Sequence, residues 1–288
     1  MPAVKKNHHY VPQFWLRGFA DAKGQIHAWD GQQVRVVSSK RIMQGDWLYT
    51  LFDNAWQPTD ALEDALAQAE GLAAPIFAKL AAPAATLTTS ERQELWDFLA
   101  LQACRHPDIM KRAHRRARDL GALIVSVRDF QSEHDFVVEA ATFAIPASVA
   151  QGMYALLLTQ DPARLQQEYD ELIGLSPQDA QLPEQEALRA QAQIATAISA
   201  MTLTLLDAPA GSAFVLGDTP MPQDRLGHGF TVPLSQTVAV MAQPSTTSQT
   251  ATTRRVATPG ELAAINQTQW DNALHIVIGP DPLALRAL

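Results

Sequence analysis

The chain holds a single cysteine, Cys104, in 288 residues. That excludes an intrachain disulfide and any multi-cysteine metal site within one chain. It has no Gly-rich phosphate loop, no HExxH pair and no HNH-type spacing, so the common sequence signatures of nucleotide and metal-hydrolase chemistry are missing. No apolar run reaches the roughly 20 residues a membrane helix needs. The most apolar stretch, Phe136–Leu158, is interrupted by Glu139, Pro146 and Gln151, and a centred charge costs roughly 3 kcal/mol in a bilayer. The opening MPAVKKNHHYVPQFWLRGF has no apolar run of signal-peptide length. The expectation is a reduced, cytoplasmic bacterial protein with no membrane partner. No internal repeat is visible, and the one biased stretch is the Ser/Thr-rich Pro244–Thr253.

What is present is an ordinary globular composition, 47% hydrophobic and 18% charged. It is long enough for a large core. The net charge is −8, but its distribution is uneven. Residues 1–118 sum to +3 and residues 119–288 to −11. Six basic residues (Arg105, Lys111, Arg112, Arg115, Arg116, Arg118) gather in 105–118 against Asp108 alone. Such a run is a solvated face or a site for an anionic ligand or nucleic acid.

Local patterns divide the chain into three parts. Gln25–Asp30 and Gln33–Ser38 alternate around Gly31, as a hairpin does. Pro12 and Gly18 bracket a short helix, Val11–Arg17, and Trp47–Phe52 is a further extended candidate. From Thr59, apolar residues recur at helical spacing. Helices are predicted over Thr59–Leu80, from Ser90 through Cys104, from Pro107 to about Phe130, and over Ile145–Gln160, Asp161–Leu172 and Pro183–Leu206, with 177–183 as a loop. Ser90-Glu91-Arg92-Gln93 reads as a capping box. After Pro209, Ser212–Leu216, Phe230–Val232, Thr237–Met241, Arg254–Ala257 and Ala273–Ile278 are strand candidates. A helix from Thr258 to about Ala273 carries a Thr-Pro-Gly-Glu start. Strands, helices, strands in that order predict an α+β fold. A large central helical region (about 59–206) is inserted between β-rich 1–58 and 209–288. The two ends build a small, mostly antiparallel sheet, in one domain over 1–288.

Four constellations could carry chemistry. In Asn7-His8-His9-Tyr10-Val11-Pro12-Gln13, adjacent histidines on a strand face opposite ways, and Gln13 and Arg17 share a helix face. Advancing 100° per residue from Leu95 places Gln102 and Arg105 on the apolar face. There an arginine needs a carboxylate or a cavity, or must reach past the helix end to solvent. Glu63 and Glu70, seven apart, edge the apolar stripe of their helix, as an acid–base or metal pair or as the border of the core. Asp218 follows the apolar run Phe214-Val215-Leu216-Gly217, at a sheet edge or in a plain turn.

Together these pieces resemble the bacterial family known as domain of unknown function 4238. Its members open with HHYVPQF, an aromatic or aliphatic residue and then LR-x-F, here His8 to Phe19. The later resemblance runs through Glu63 and Glu70, Gln102 and Arg105, Asp218 with Pro220, and Thr231-Val232-Pro233-Leu234-Ser235. The chain departs at Gly217 and Thr219, where the family shows Ser and Asn. The resemblance implies one polar site. His8, His9, Glu70 and Asp218 would be its reactive groups, and Gln13, Arg17, Gln102 and Arg105 would bind ligand. A divalent cofactor, Mg²⁺ or Mn²⁺, would fall to His9, Glu70 and Asp218. The expected activity is binding or hydrolysis of a phosphate-containing ligand or nucleic acid. The alternative is a non-catalytic binding or immunity protein of a bacterial conflict system, with a protein partner.

Overall fold

A computed structural model describes residues 5–53, 55, 57–83, 85–174, 182–222, 226–245 and 252–285. Within these, the side chains of 52, 111–117, 170–174, 182–187 and 189 fall outside the description. The fold is α+β, with small, mostly antiparallel sheets. Backbone contacts divide it into two compact units, one of residues 1–50, 60–107 and 188–288 and the other of 51–59 and 108–187. The division runs through the helical centre, not along its edges.

Among the described residues, the first unit contains three sheets. Strands β1 (Asn7–His9) and β4 (Gln44–Asp46) pair antiparallel, His8 opposite Gly45. A four-stranded sheet has the order β3 (Val34–Val37), β2 (Ile26–Trp29), β12 (Val277–Gly279), β8 (Leu216–Gly217). It joins the two ends of the chain. The third has the order β11 (Thr252–Val256), β7 (Thr202–Asp207), β10 (Val238–Gln243), β9 (Phe230–Pro233). It is drawn wholly from the last third, and its β11–β7 pair is parallel. Thr202–Leu206, expected to end the alanine-rich helix, is therefore strand. Its Thr-Leu alternation buries Leu203 and Leu205 while Thr202 and Thr204 stay half-exposed, and pairing on both sides overrides the run of helix formers before it.

Helices α2 (Ala61–Leu80) and α3 (Thr89–Cys104) pack as an antiparallel pair, with Lys79 bonded to Glu91 at one end and Glu70 to Arg105 at the other. Thr88, not Ser90, caps α3. Its hydroxyl accepts from the Glu91 N–H while the Glu91 carboxylate accepts from the Thr88 N–H, the reciprocal pair of a capping box. The helix α1 (Gln13–Arg17) locks onto this pair through edge-on contacts of Phe14 and Trp15 with Phe77. The Trp15 indole donates to Pro233 O of β9 at 2.9 Å. A Cβ at Gly18 would stand 3.0 Å from Leu234 O, so the glycine admits the C-terminal segment at this point.

The second unit includes the antiparallel pair β5 (Leu51–Phe52) and β6 (Pro58–Thr59), most of α4 (Pro107–Val125), then α5 (Glu133–Ala141), α6 (Ala147–Leu158) and α7 (Pro162–Gly174). Its core is Leu123, Val127, Phe136, Ala140 and Ala150, with Phe130 and Tyr154 against Phe136. Helix α8 (Leu182–Ser199) contributes buried Ala195 and Ile198 to the first unit. Helix α9 (Pro259–Asn272) opens at Thr258 with the expected capping box. The expected loop at 177–183 lies largely outside the described residues, as does much of 244–253. No helix among the described residues is long and apolar enough to cross a membrane.

Candidate functional site

The two histidines of β1 take opposite sides, as the strand period requires. His8 is fully buried. Its Nδ1 accepts the Tyr49 N–H at 2.9 Å and its Nε2 stands 3.0 Å from Lys5 O. The first bond fixes the tautomer, so Nε2 carries the proton and donates. Both nitrogens are engaged, and the ring stacks on Tyr49 at 5.6 Å. His9 is half-buried, with Nε2 3.1 Å from Ser39 O. Donation there leaves the Nδ1 lone pair without a hydrogen bond to the described residues. Burial lowers the pKa of His9, and nearby Arg105 lowers it further, against Ser39 and Glu70. The imidazole is therefore neutral at pH 7.

Arg105 ends α3, 1% exposed, on the apolar face as its phase predicts. It does not reach solvent. Its Nη1 stands 2.7 Å from Glu70 Oε1, and Nη2 donates to His9 O at 2.7 Å. The guanidinium also lies 5.3 Å from the centre of the Tyr49 ring. The Tyr49 hydroxyl donates back to Arg105 O at 2.9 Å. Burial pushes that phenol up to about 12. Burial opposes the charge on Arg105, but Tyr49 and Glu70 outweigh it, so the guanidinium stays ionised. One arginine thus ties β1, α2, α3 and the Tyr49 loop together.

Several polar atoms here remain unsatisfied. Both amide atoms of Gln102 are buried without a hydrogen bond, and so are Nε of Arg105 and Oε2 of Glu63. Nη1 of Arg105 has Glu70 Oε1 as its ion-pair partner at 2.7 Å. Gln102 is 3% exposed and lies one turn before Arg105 on the same face. Burial raises the pKa of Glu63 above 4.5, and the nearby charges of Arg105 and Lys5 only partly oppose it. A carboxyl raised by folding stabilises the fold at low pH and loses that contribution as pH rises through its folded value. Glu63→Gln is therefore expected to raise the urea midpoint at pH 8 and to leave it unchanged below pH 4. A midpoint lowered at pH 8 contradicts the assignment.

Asp218 is built differently. Its carboxylate accepts three backbone N–H groups, from Leu274 at 2.8 Å, His275 at 3.0 Å and Ile276 at 3.2 Å. His106 Nε2 lies 3.7 Å away, and His275 stacks over His106. Asp218 thus holds the chain where it leaves α9 for β12. The neighbouring departures from the family pattern have structural correlates. A Cβ at Gly217 would stand 2.5 Å from Gln269 O, so glycine lets α9 close on β8. The hydroxyl of Thr219 is buried without a hydrogen bond.

The structure brings Glu70 and the backbone carbonyl of His9 onto the Arg105 guanidinium, and His8 stacks on the Tyr49 ring that the guanidinium also meets. It sets Asp218 beside the next residue, His106. Gln13 and Arg17 are not gathered there: Arg17 is exposed and its Nε donates to Gln13 O. His9, Glu70 and Asp218 do not form a cation site, since each engages a different partner. Among the described residues, no group of three or more His, Cys, Asp or Glu is arranged to hold a metal ion. Within the basic run, Arg105 is withdrawn into the core, and the side chains of 111–117 lie outside the described residues. Cys104 is buried and its thiol is pushed up to about 11, so it packs as an unreactive apolar group.

Tyr49, His106 and His275 were not singled out from sequence. His106 had one signal, its place next to an inward-phased arginine. The other two had none, because their partners lie dozens of residues away.

Searches of curated proteins and of solved structures each returned no match. The profile of the family described as protein of unknown function (DUF4238) matches residues 7–282. The match covers nearly the whole chain, from the strand that carries His8 and His9 to beyond the strand held by Asp218, and on it the chain belongs to the domain of unknown function 4238 family.

Proposed function

We propose that this chain binds a small polar ligand at the shelf formed by Gln102 and Arg105, with His9, Glu63 and Glu70 at its border. One observation carries the proposal. Of the polar residues that the family pattern selects, some are satisfied within the protein and others are not. Both nitrogens of His8 and both oxygens of Asp218 are occupied by backbone groups. Gln102 and Arg105 are buried as deeply and keep open hydrogen-bonding positions. Buried polar groups are nearly always paired, and an unpaired one costs about 1–3 kcal/mol. A fold that maintains such a set needs another use for it.

The charge at the shelf argues against a phosphate. Glu70 already balances Arg105, and Glu63 stands nearby. A dianion would have to expel Glu70 and face Glu63. Binding without an assigned reaction is thus better supported than phosphate hydrolysis.

The test is a thermal-unfolding screen of the chain and its Gln102→Leu variant against small metabolites. At least one compound should raise the wild-type midpoint by several degrees and leave the variant unmoved. A library that shifts neither protein, or both alike, overturns the proposal. Without ligand, Gln102→Leu should be more stable than wild type by about 1–3 kcal/mol, since it removes two unpaired polar atoms at similar volume, as urea unfolding will measure.

A further inference from the structure

We propose that the outer edge of β3 takes up an extended segment of a partner protein as an added strand, and that this segment alternates apolar and acidic residues. Strand β3 ends its four-stranded sheet, and among the described residues no strand pairs with its outer side. The parity of the β2–β3 hairpin shows which backbone groups face outward. The Asp30 N–H donates to Gln33 O across the turn, so these two residues are a hydrogen-bonded pair. Bonded and unbonded pairs alternate from there along an antiparallel ladder. Trp29 pairs with Val34, Ala28 with Arg35 and His27 with Val36. Arg35 therefore turns its N–H and C=O inward to β2, while Val34 and Val36 turn theirs outward. An unpaired row of this kind is a template for a further strand.

The side chains set the pattern of the partner. Val34 and Val36 lie on the face shared with Trp29, which stacks on Trp270 of α9. Val34 packs into that cluster, but Val36, two residues further from the turn, is left 53% exposed. An apolar side chain of an added strand would extend the row beside Val36. Arg35 takes the opposite face. It is exposed, and its 3.5 Å contact with Asp30 is a surface pair, which holds it weakly. Lys40 and Arg41 follow, both exposed, and residues 31–43 contain no acidic residue in a chain of net charge −8. Edge-to-edge pairing with a second copy would set these cations against their own counterparts, and like charges across a ladder repel. The same cations that guard the edge against other sheets select an acidic partner.

The experiment is fluorescence anisotropy of a labelled peptide alternating valine and glutamate, titrated with the full chain, beside a peptide with lysine in place of glutamate. The glutamate peptide should bind at least tenfold more tightly than the lysine peptide, and less tightly as salt rises. Val36→Pro removes an outward N–H and no ladder bond. It should leave the thermal midpoint unchanged and weaken the glutamate peptide at least tenfold. Arg35→Glu should narrow the preference between the two peptides at least threefold. In the unaltered chain, the glutamate peptide should slow amide exchange at Val34 and Val36, a readout that needs no variant. No binding of the glutamate peptide, equal binding of the two peptides, or unchanged exchange at Val34 and Val36 overturns the proposal. So does full affinity in a folded Val36→Pro protein. Self-association of the unaltered chain that Val36→Pro abolishes would assign the edge to a second copy instead.

Discussion

Glu70→Ala is expected to cost about 3–5 kcal/mol of folding stability, and more than Arg105→Met. Removing one partner of a buried pair leaves the other charge uncompensated, and the two partners differ in what they can do next. Arg105 is 1% exposed and Glu70 is 27% exposed. Without Glu70 the guanidinium stays buried, with His9 O and the face of Tyr49 as its remaining support. Without Arg105, Glu70 turns into water, and methionine fills much of the space. Arg105→Met should cost about 1–2 kcal/mol, mainly the bond to His9 O. The double variant Glu70→Ala with Arg105→Met should recover much of the loss, so the two effects do not add. Urea unfolding of the three variants measures this. Equal losses for the two single variants would mean that the partners are equally buried in solution.

The second large effect is expected at Asp218. Asp218→Ala leaves three backbone N–H groups without their acceptor. At about 1–3 kcal/mol for each buried orphan, and with water reaching the exposed Leu274 and His275 segment, the loss should be about 3–4 kcal/mol. Asp218→Asn retains one oxygen acceptor and turns an NH₂ toward the remaining donors, so it should fall about midway. Loss of order should begin where α9 passes to β12, and amide exchange of Leu274–Ile276 will report it. Unchanged exchange there in a folded Asp218→Asn protein would contradict the structural role.

Much of this was legible in the sequence where a short-range rule applies. The inward phase of Gln102 and Arg105 follows from the helical period counted from Leu95. The hairpin around Gly31 and the Thr258 start of α9 follow from turn and cap chemistry. The opposed histidines follow from the strand period. What was hidden is long-range. Tyr49 meets Arg105 across 56 residues, and no local pattern announces it. The three donors to Asp218 are backbone groups, which carry no residue signature. Strand β7 was masked by the alanine-rich helix before it, because its partners β10 and β11 lie downstream. Which motif residues are scaffold and which are open is likewise a property of partners, invisible until the chain is folded.

That division is tested most directly by comparing the unfolding free energies of Gln102→Leu and Asp218→Asn with wild type, in ligand-free protein at pH 7. Opposite signs are expected, with Gln102→Leu more stable and Asp218→Asn less stable. A loss of stability in both would mean that Gln102 is bonded within the protein, and the shelf would then have no open groups to offer.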